Sequence, residues 1–173
     1  GYEETVEELL NPKAQEIADR TEMMRYHPWT WRPGTLPGMG AAEWLHDMVN
    51  TENPLEEKMT LFWHQVFATG VSKVDHYDDV MDMIVKFRQK GMGDFRELLL
   101  EMAQDPAMIY WLDNCDNHAS AVNENWGREL LELFSLGVGN YTEVDVRECS
   151  RAFTGWTIRP KLPRGPIGRH DWF

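Results

Sequence analysis

NENWGRELLELFSLGVGNYTEVDVRECSRAFTGW, residues Asn123 to Trp156, carries two amphipathic helices and the turn that joins them. At 100° per residue, Trp126, Leu130, Leu133 and Phe134 form one apolar stripe on the first helix, and Asn125, Glu129 and Glu132 line its edge. Carboxylates at the margin of a buried stripe need either a packed polar network or a cation. Gly137-Val138-Gly139 ends this helix, and Thr142 with Asp145 three residues on reads as a capping box for the second.

Helix signals of the same kind recur upstream. Asn53-Pro54 opens a helix from Pro54 to Ala68, Asp75 with Asp78 one that runs to Lys90, Asp94 with Glu97 the next, and Asp105-Pro106 a short one. Thr5 to Arg25 and Ala41 to Val49 complete the helical set, and Gly70, Gly91 and Gly137 stand where C-terminal caps belong. No window alternates apolar and polar residues over five positions with β-branched enrichment, so no sheet is expected. Tyr26 to Gly40 and Thr157 to Asp171 each hold three prolines and are not helical. The expected fold is all-α: a single multi-helix domain over residues 1–156, broken by a Pro/Gly-rich loop, with an extended C-terminal arm over 157–173. So short an arm cannot bury enough surface to fold alone and should lie across the body of the domain.

The 173 residues, 20.2 kDa, are enough for one core without staples. With 29 acidic and 17 basic residues, the net charge of −12 repels phosphate backbones and anionic lipid surfaces, so nucleic acid is not an expected partner. No apolar run has the length of a transmembrane segment. Cys149 falls on the apolar face of its helix beside Val146 and Phe153, whereas Cys115 lies in a polar loop; spacing alone leaves their pairing open. There is no nucleophile elbow, phosphate loop, dinucleotide fingerprint, HExxH or paired CxxC.

Two constellations compete for the carboxylates. In the first, a structural network, Asn125, Arg128, Glu129, Glu132, Arg147 and Arg151 pair across the glycine turn, with Glu129 buried against a guanidinium. In the second, Glu129 and Glu132 hold a divalent metal, with His64 from another helix and His170 and Asp171 from the arm; such an oxygen-rich set suits Mn, Fe, Mg or Ca. The network is the simpler reading, because Arg forks satisfy both charges without a metal. The loop Asp113 to Asn117 (DNCDN) offers closely spaced oxygens but lacks the Gly and Glu of an EF-hand, and Asx turns and helix caps account for it. Trp29 and Trp31, with Tyr26 beside them, can anchor a partner protein, stack on a polysaccharide or fold back as a lid.

The Asn123–Trp156 run also resembles the signature of bacterial domain-of-unknown-function family 1800. Its elements are Asn123 to Gly137 (NENWGRELLELFSLG), Gly139 to Val146 (GNYTEVDV) and Thr154 to Trp156 (TGW). Pro54 to Gly70 (PLEEKMTLFWHQVFATG) and Asp94 to Asp113 (DFRELLLEMAQDPAMIYWLD) are similar to two further segments of that family, in the same order. Met24 to Gly40 departs from it, so no family role transfers there. The resemblance implies a helical, mostly exported bacterial protein of the periplasm or cell envelope, of which this chain is the central portion, and it brings no established activity. The expected function is a non-catalytic envelope or assembly component that binds another protein chain, a copy of itself or a polysaccharide. The alternative is a metal-dependent enzyme using the Glu/His cluster.

Overall fold

The computed structural model describes residues 1–11, 39–74, 77–160 and 170–172. Within them the fold is all-α. The helices are α1 (Tyr2–Leu10), α2 (Met39–Asn50), α3 (Pro54–Phe67), α4 (Tyr77–Lys90), α5 (Phe95–Ala103), α6 (Pro106–Trp111), α7 (Asn125–Glu132) and α8 (Glu143–Ala152). Tyr26, Trp29 and Trp31 lie outside the described residues, as do most of the Thr5–Arg25 segment and the side chains of His170 and Asp171.

Local chemistry explains the helix starts. Asp94 accepts from the Glu97 amide at 3.1 Å and Asp105 from the Met108 amide at 3.1 Å, each satisfying an orphan donor of the first turn. Thr142 and Asp145 form the reciprocal capping box, the Thr142 amide donating to the Asp145 carboxylate at 2.8 Å. The Asn53 side chain makes no cap bond to the backbone, and Pro54 at the first helical position carries that start. At the other end of α3 the left-handed residue is Ala68, with φ +45°, and not Gly70. Tertiary packing therefore holds an alanine where its Cβ is disfavoured by about 1 kcal/mol.

The core runs between the α3–α4 pair and α5, α6 and α7. Phe67 stacks on Phe87 with centroids 5.7 Å apart and meets Phe134 at 4.8 Å. From there the rings continue through Trp126 (6.2 Å), Phe153 (5.7 Å) and Trp156 (5.1 Å). One aromatic chain thus joins the upstream helices to the Asn123–Trp156 segment, with Met83, Ile84, Leu98, Met102 and Met108 filling around it. Trp126, Leu130 and Phe134 use the stripe expected of them, but Leu133 does not: it is 61% exposed. The helix stops at Glu132, where the Phe134 amide reaches back to Glu129 O and the Gly137 amide to Leu131 O, and this widened turn carries Leu133 off the buried face.

The arm returns on itself. Ile158–Pro160 (β1) pairs antiparallel with His170–Trp172 (β2), Ile158 opposite Trp172 and Pro160 opposite His170, and both strands pass beside α6. A three-residue strand is shorter than any window in which alternation can be read, so this ribbon left no signal in the sequence.

Candidate functional site

The polar edge of α7 and the start of α8 form a charged surface ladder. Arg128 grips Glu143 with both terminal nitrogens, at 3.0 and 2.7 Å, and reaches Glu124 at 3.5 Å. Glu124 also meets Arg147 at 3.7 Å, while Arg151 turns to Glu148 on its own helix at 2.9 Å. The fork on Glu143 raises the Arg128 guanidinium and holds the Glu143 carboxyl below the usual carboxylate range. Exposed as it is, this ladder adds little to stability.

Glu129 is not a member of that ladder. It is half-buried and has no ion-pair or hydrogen-bond partner among the described residues, because Arg128 is spent on Glu143. Partial burial, then the charge of Glu132, pushes its carboxyl up against the weaker pull of Arg128. Glu132 instead accepts from the Tyr141 hydroxyl, which raises the phenol. A raised carboxyl in the folded state contributes stability at low pH, and that contribution is lost as pH rises through the folded value. Glu129→Gln is therefore expected to be neutral or to stabilise by up to about 0.5 kcal/mol at neutral pH, read as a rise in the denaturant midpoint. A loss of several kcal/mol would instead reveal a buried ionic partner.

His64 lies elsewhere, in the last turn of α3. Its ring meets Trp44 edge-on at 5.2 Å and Phe87 at 6.5 Å, and burial pulls its imidazole down. No three His, Cys, Asp or Glu side chains converge on a cation-sized position among the described residues, so the structure does not bring His64, Glu129 and Glu132 together. Cys115 and Cys149 are both free thiols, and partial burial pushes Cys149 up.

Asparagines hold the signature segment in place. Asn117, fully buried, donates to Ser150 O at 2.8 Å and to Asn114 Oδ1 at 3.1 Å, and its own Oδ1 accepts from the Asn123 amide at 3.0 Å. Asn114 donates to Trp156 O at 3.0 Å and Phe153 O at 3.3 Å. Beside them Lys73 pairs with Asp113 at 2.6 Å and donates to Trp111 O, and Asn125 reaches Asp113 at 3.4 Å. DNCDN is thus more than a set of local turns: its buried amides fasten the start of α7 to the end of α8. The only sequence hint was the run of Asx residues; nothing in it showed that their partners lay some 30 to 40 positions away.

What the segment presents to solvent is apolar as well as charged. Leu133 (61% exposed), Leu136 (51%), Val138 (77%) and Val144 (65%) crowd the α7–α8 turn, which Gly137 and Gly139 shape with φ of +80° and +87°. Chemically the surface is aliphatic at the turn and ionic beside it. Among the described residues no helix is long and apolar enough to cross a membrane.

The model of the family described as "Protein of unknown function (DUF1800)" matches residues 1–170, and the chain belongs to that family. No curated protein and no solved structure matches it.

Proposed function

We propose, with membership of the DUF1800 family as the premise, that this chain is a non-catalytic component of an exported bacterial assembly, held in the periplasm or cell envelope by contact with a partner protein. The observation that carries the reading is the α7–α8 turn. Four large aliphatic side chains, Leu133, Leu136, Val138 and Val144, stand in water there within twelve positions of the chain, three of them more than 60% exposed, and large exposed apolar patches mark interaction sites. Aliphatic groups with a charged margin suit a protein better than a polysaccharide, which aromatic platforms bind. The alternative of a metal-dependent enzyme built on His64, Glu129, Glu132, His170 and Asp171 gains no support from the described residues, where no donor set converges.

A photo-crosslinker placed at Val138 in the native host tests the reading. A discrete adduct to another protein in the envelope fraction is expected, and none from an equivalent probe at the exposed Glu3. Val138→Asp with Val144→Asp should weaken that association by more than about 2 kcal/mol and leave folding within about 0.5 kcal/mol. Adducts equally frequent at both probes, or confined to the cytoplasm, would dismiss the proposal.

A further inference from the structure

Helix α2 is tied to the α3–α4 pair by a small polar clip. The Trp44 indole donates to the Glu57 carboxylate at 3.0 Å, and Glu57, itself buried, also accepts from Arg88 of α4. Arg88 in turn reaches back to Asp47 of α2 at 3.5 Å. Two turns along α3 from Glu57, the same indole rests edge-to-face on His64. One face of α3 therefore holds Trp44 by a carboxylate at one end and an imidazole at the other.

The His64 ring has a specific vulnerability. Its Nδ1 is buried and has no hydrogen-bond partner among the described residues; His46 Nδ1 on α2 is likewise buried and unbonded, but there the Asp47 carboxylate stands 3.8 Å away. A neutral ring tolerates this, because an unpaired acceptor nitrogen can keep its proton on Nε2. An imidazolium cannot, since Nδ1–H would be a buried charged donor with nothing to receive it. Among the described residues, no carboxylate on the neighbouring elements bonds to that nitrogen. On α3, Glu57 is occupied by Trp44 and Arg88. On α2, Asp47 faces Arg88 and the His46 ring, whose Nδ1 stands 3.8 Å from it. On α4 the Arg88 guanidinium repels a second cation, Lys86 is paired with Asp105, and Asp78, Asp79 and Asp82 are engaged in contacts of their own. On α1, which packs beside α3, Glu3, Glu4, Glu7 and Glu8 are exposed to water. The C-terminal position of His64 in α3 favours a cation through the helix dipole, an effect worth less than an unmet buried charge.

We propose that α2 is docked by an imidazole that must stay neutral, so that protonation of His64 breaks the Trp44 clip and releases α2 from α3 and α4. Burial already pulls the His64 imidazole down. A histidine held below its free value leaves the docked state at full strength above about pH 6.5, and docking weakens as pH falls below that, where only the released form takes the proton. Release uncovers Trp44 and parts its indole from Glu57 and Asp47 from Arg88, while the Glu57–Arg88 pair between α3 and α4 remains.

The test is hydrogen exchange of the α2 amides, corrected for intrinsic rates, between about pH 7.5 and about pH 5.5, with an NMR titration of the imidazoles of the unmodified chain. Protection in α2 should fall severalfold on acidification while α5 stays protected, and His64→Gln and His64→Phe should flatten that response. His46→Gln should leave it unchanged. In the titration, His64 should take its proton below the ordinary imidazole value of about 6.5. A His64 that titrates at or above that value, an acid response that survives in the folded His64 variant, or one that disappears with His46→Gln would overturn the proposal. Should both His64 variants fail to fold, the titration and the wild-type exchange decide it.

Discussion

Gly127→Val is expected to destabilise the protein by about 3 kcal/mol or more. A Cβ at this position would stand 2.1 Å from Ser150 Oγ, 2.9 Å from the Ser150 amide nitrogen and 3.0 Å from Val146 O. Here α7 and α8 approach with only hydrogen atoms between them, and Ser150, fully buried, already donates its hydroxyl to Val146 O at 2.8 Å. Removing the hydroxyl should rescue only part of the loss, because two of the three clashing atoms are backbone. Gly127→Ala with Ser150→Ala is accordingly expected to remain less stable than Ser150→Ala alone. Equilibrium denaturation measures both, and hydrogen exchange should place the damage at α7 and α8 before α5. Full stability in Gly127→Ala would mean that the two helices stand farther apart than described.

Asp105→Ala is expected to cost about 3 kcal/mol, the low end of the range for breaking a buried ion pair. Asp105 is fully buried, caps α6 through the Met108 amide and receives Lys86 of α4 at 2.6 Å. Burial pushes its carboxyl up, and the Lys86 ammonium together with the Met108 and Ala107 amides opposes that push. Alanine removes the cap, worth about 1 kcal/mol, and strands an ammonium. Lys86 retains some exposure and can turn towards water, which is why the low end of the range applies. Asp105→Asn separates the two contributions. It keeps an oxygen for the Met108 amide and loses the charge, so its cost should exceed that of a cap alone and fall short of alanine. Denaturant midpoints for the two variants give the comparison; equal losses would show that the cap contributes nothing beyond the ion pair.

The helix boundaries were legible because the groups that set them are neighbours in the chain. Asp94, Asp105 and Thr142 cap through residues three positions on, and Pro54 stands where a missing amide costs nothing. The all-α class followed from those signals and from the 3.6-residue spacing of Trp126, Leu130 and Phe134. Family membership was legible too, since the motifs are contiguous. Partner choice was not. Arg128 takes Glu143 instead of Glu129, and His64 faces Trp44 instead of the carboxylates, because an ion pair depends on which helix faces cross. The buried amides of Asn114 and Asn117 spend their bonds on carbonyls far along the chain, so composition read them as a polar loop. Gly127 is a helix position that propensity would disfavour, and only the crossing with Ser150 explains why no side chain fits. Sequence by itself determined where the capped helices α3, α5, α6 and α8 begin, what class of fold the helices build and which family the chain belongs to; α1 and α2 begin two to three residues before the expected Thr5 and Ala41. Only the tertiary structure decided which charges meet, which amides are buried and which aliphatic residues are left in water, because those outcomes depend on distances through space between residues far apart in the chain.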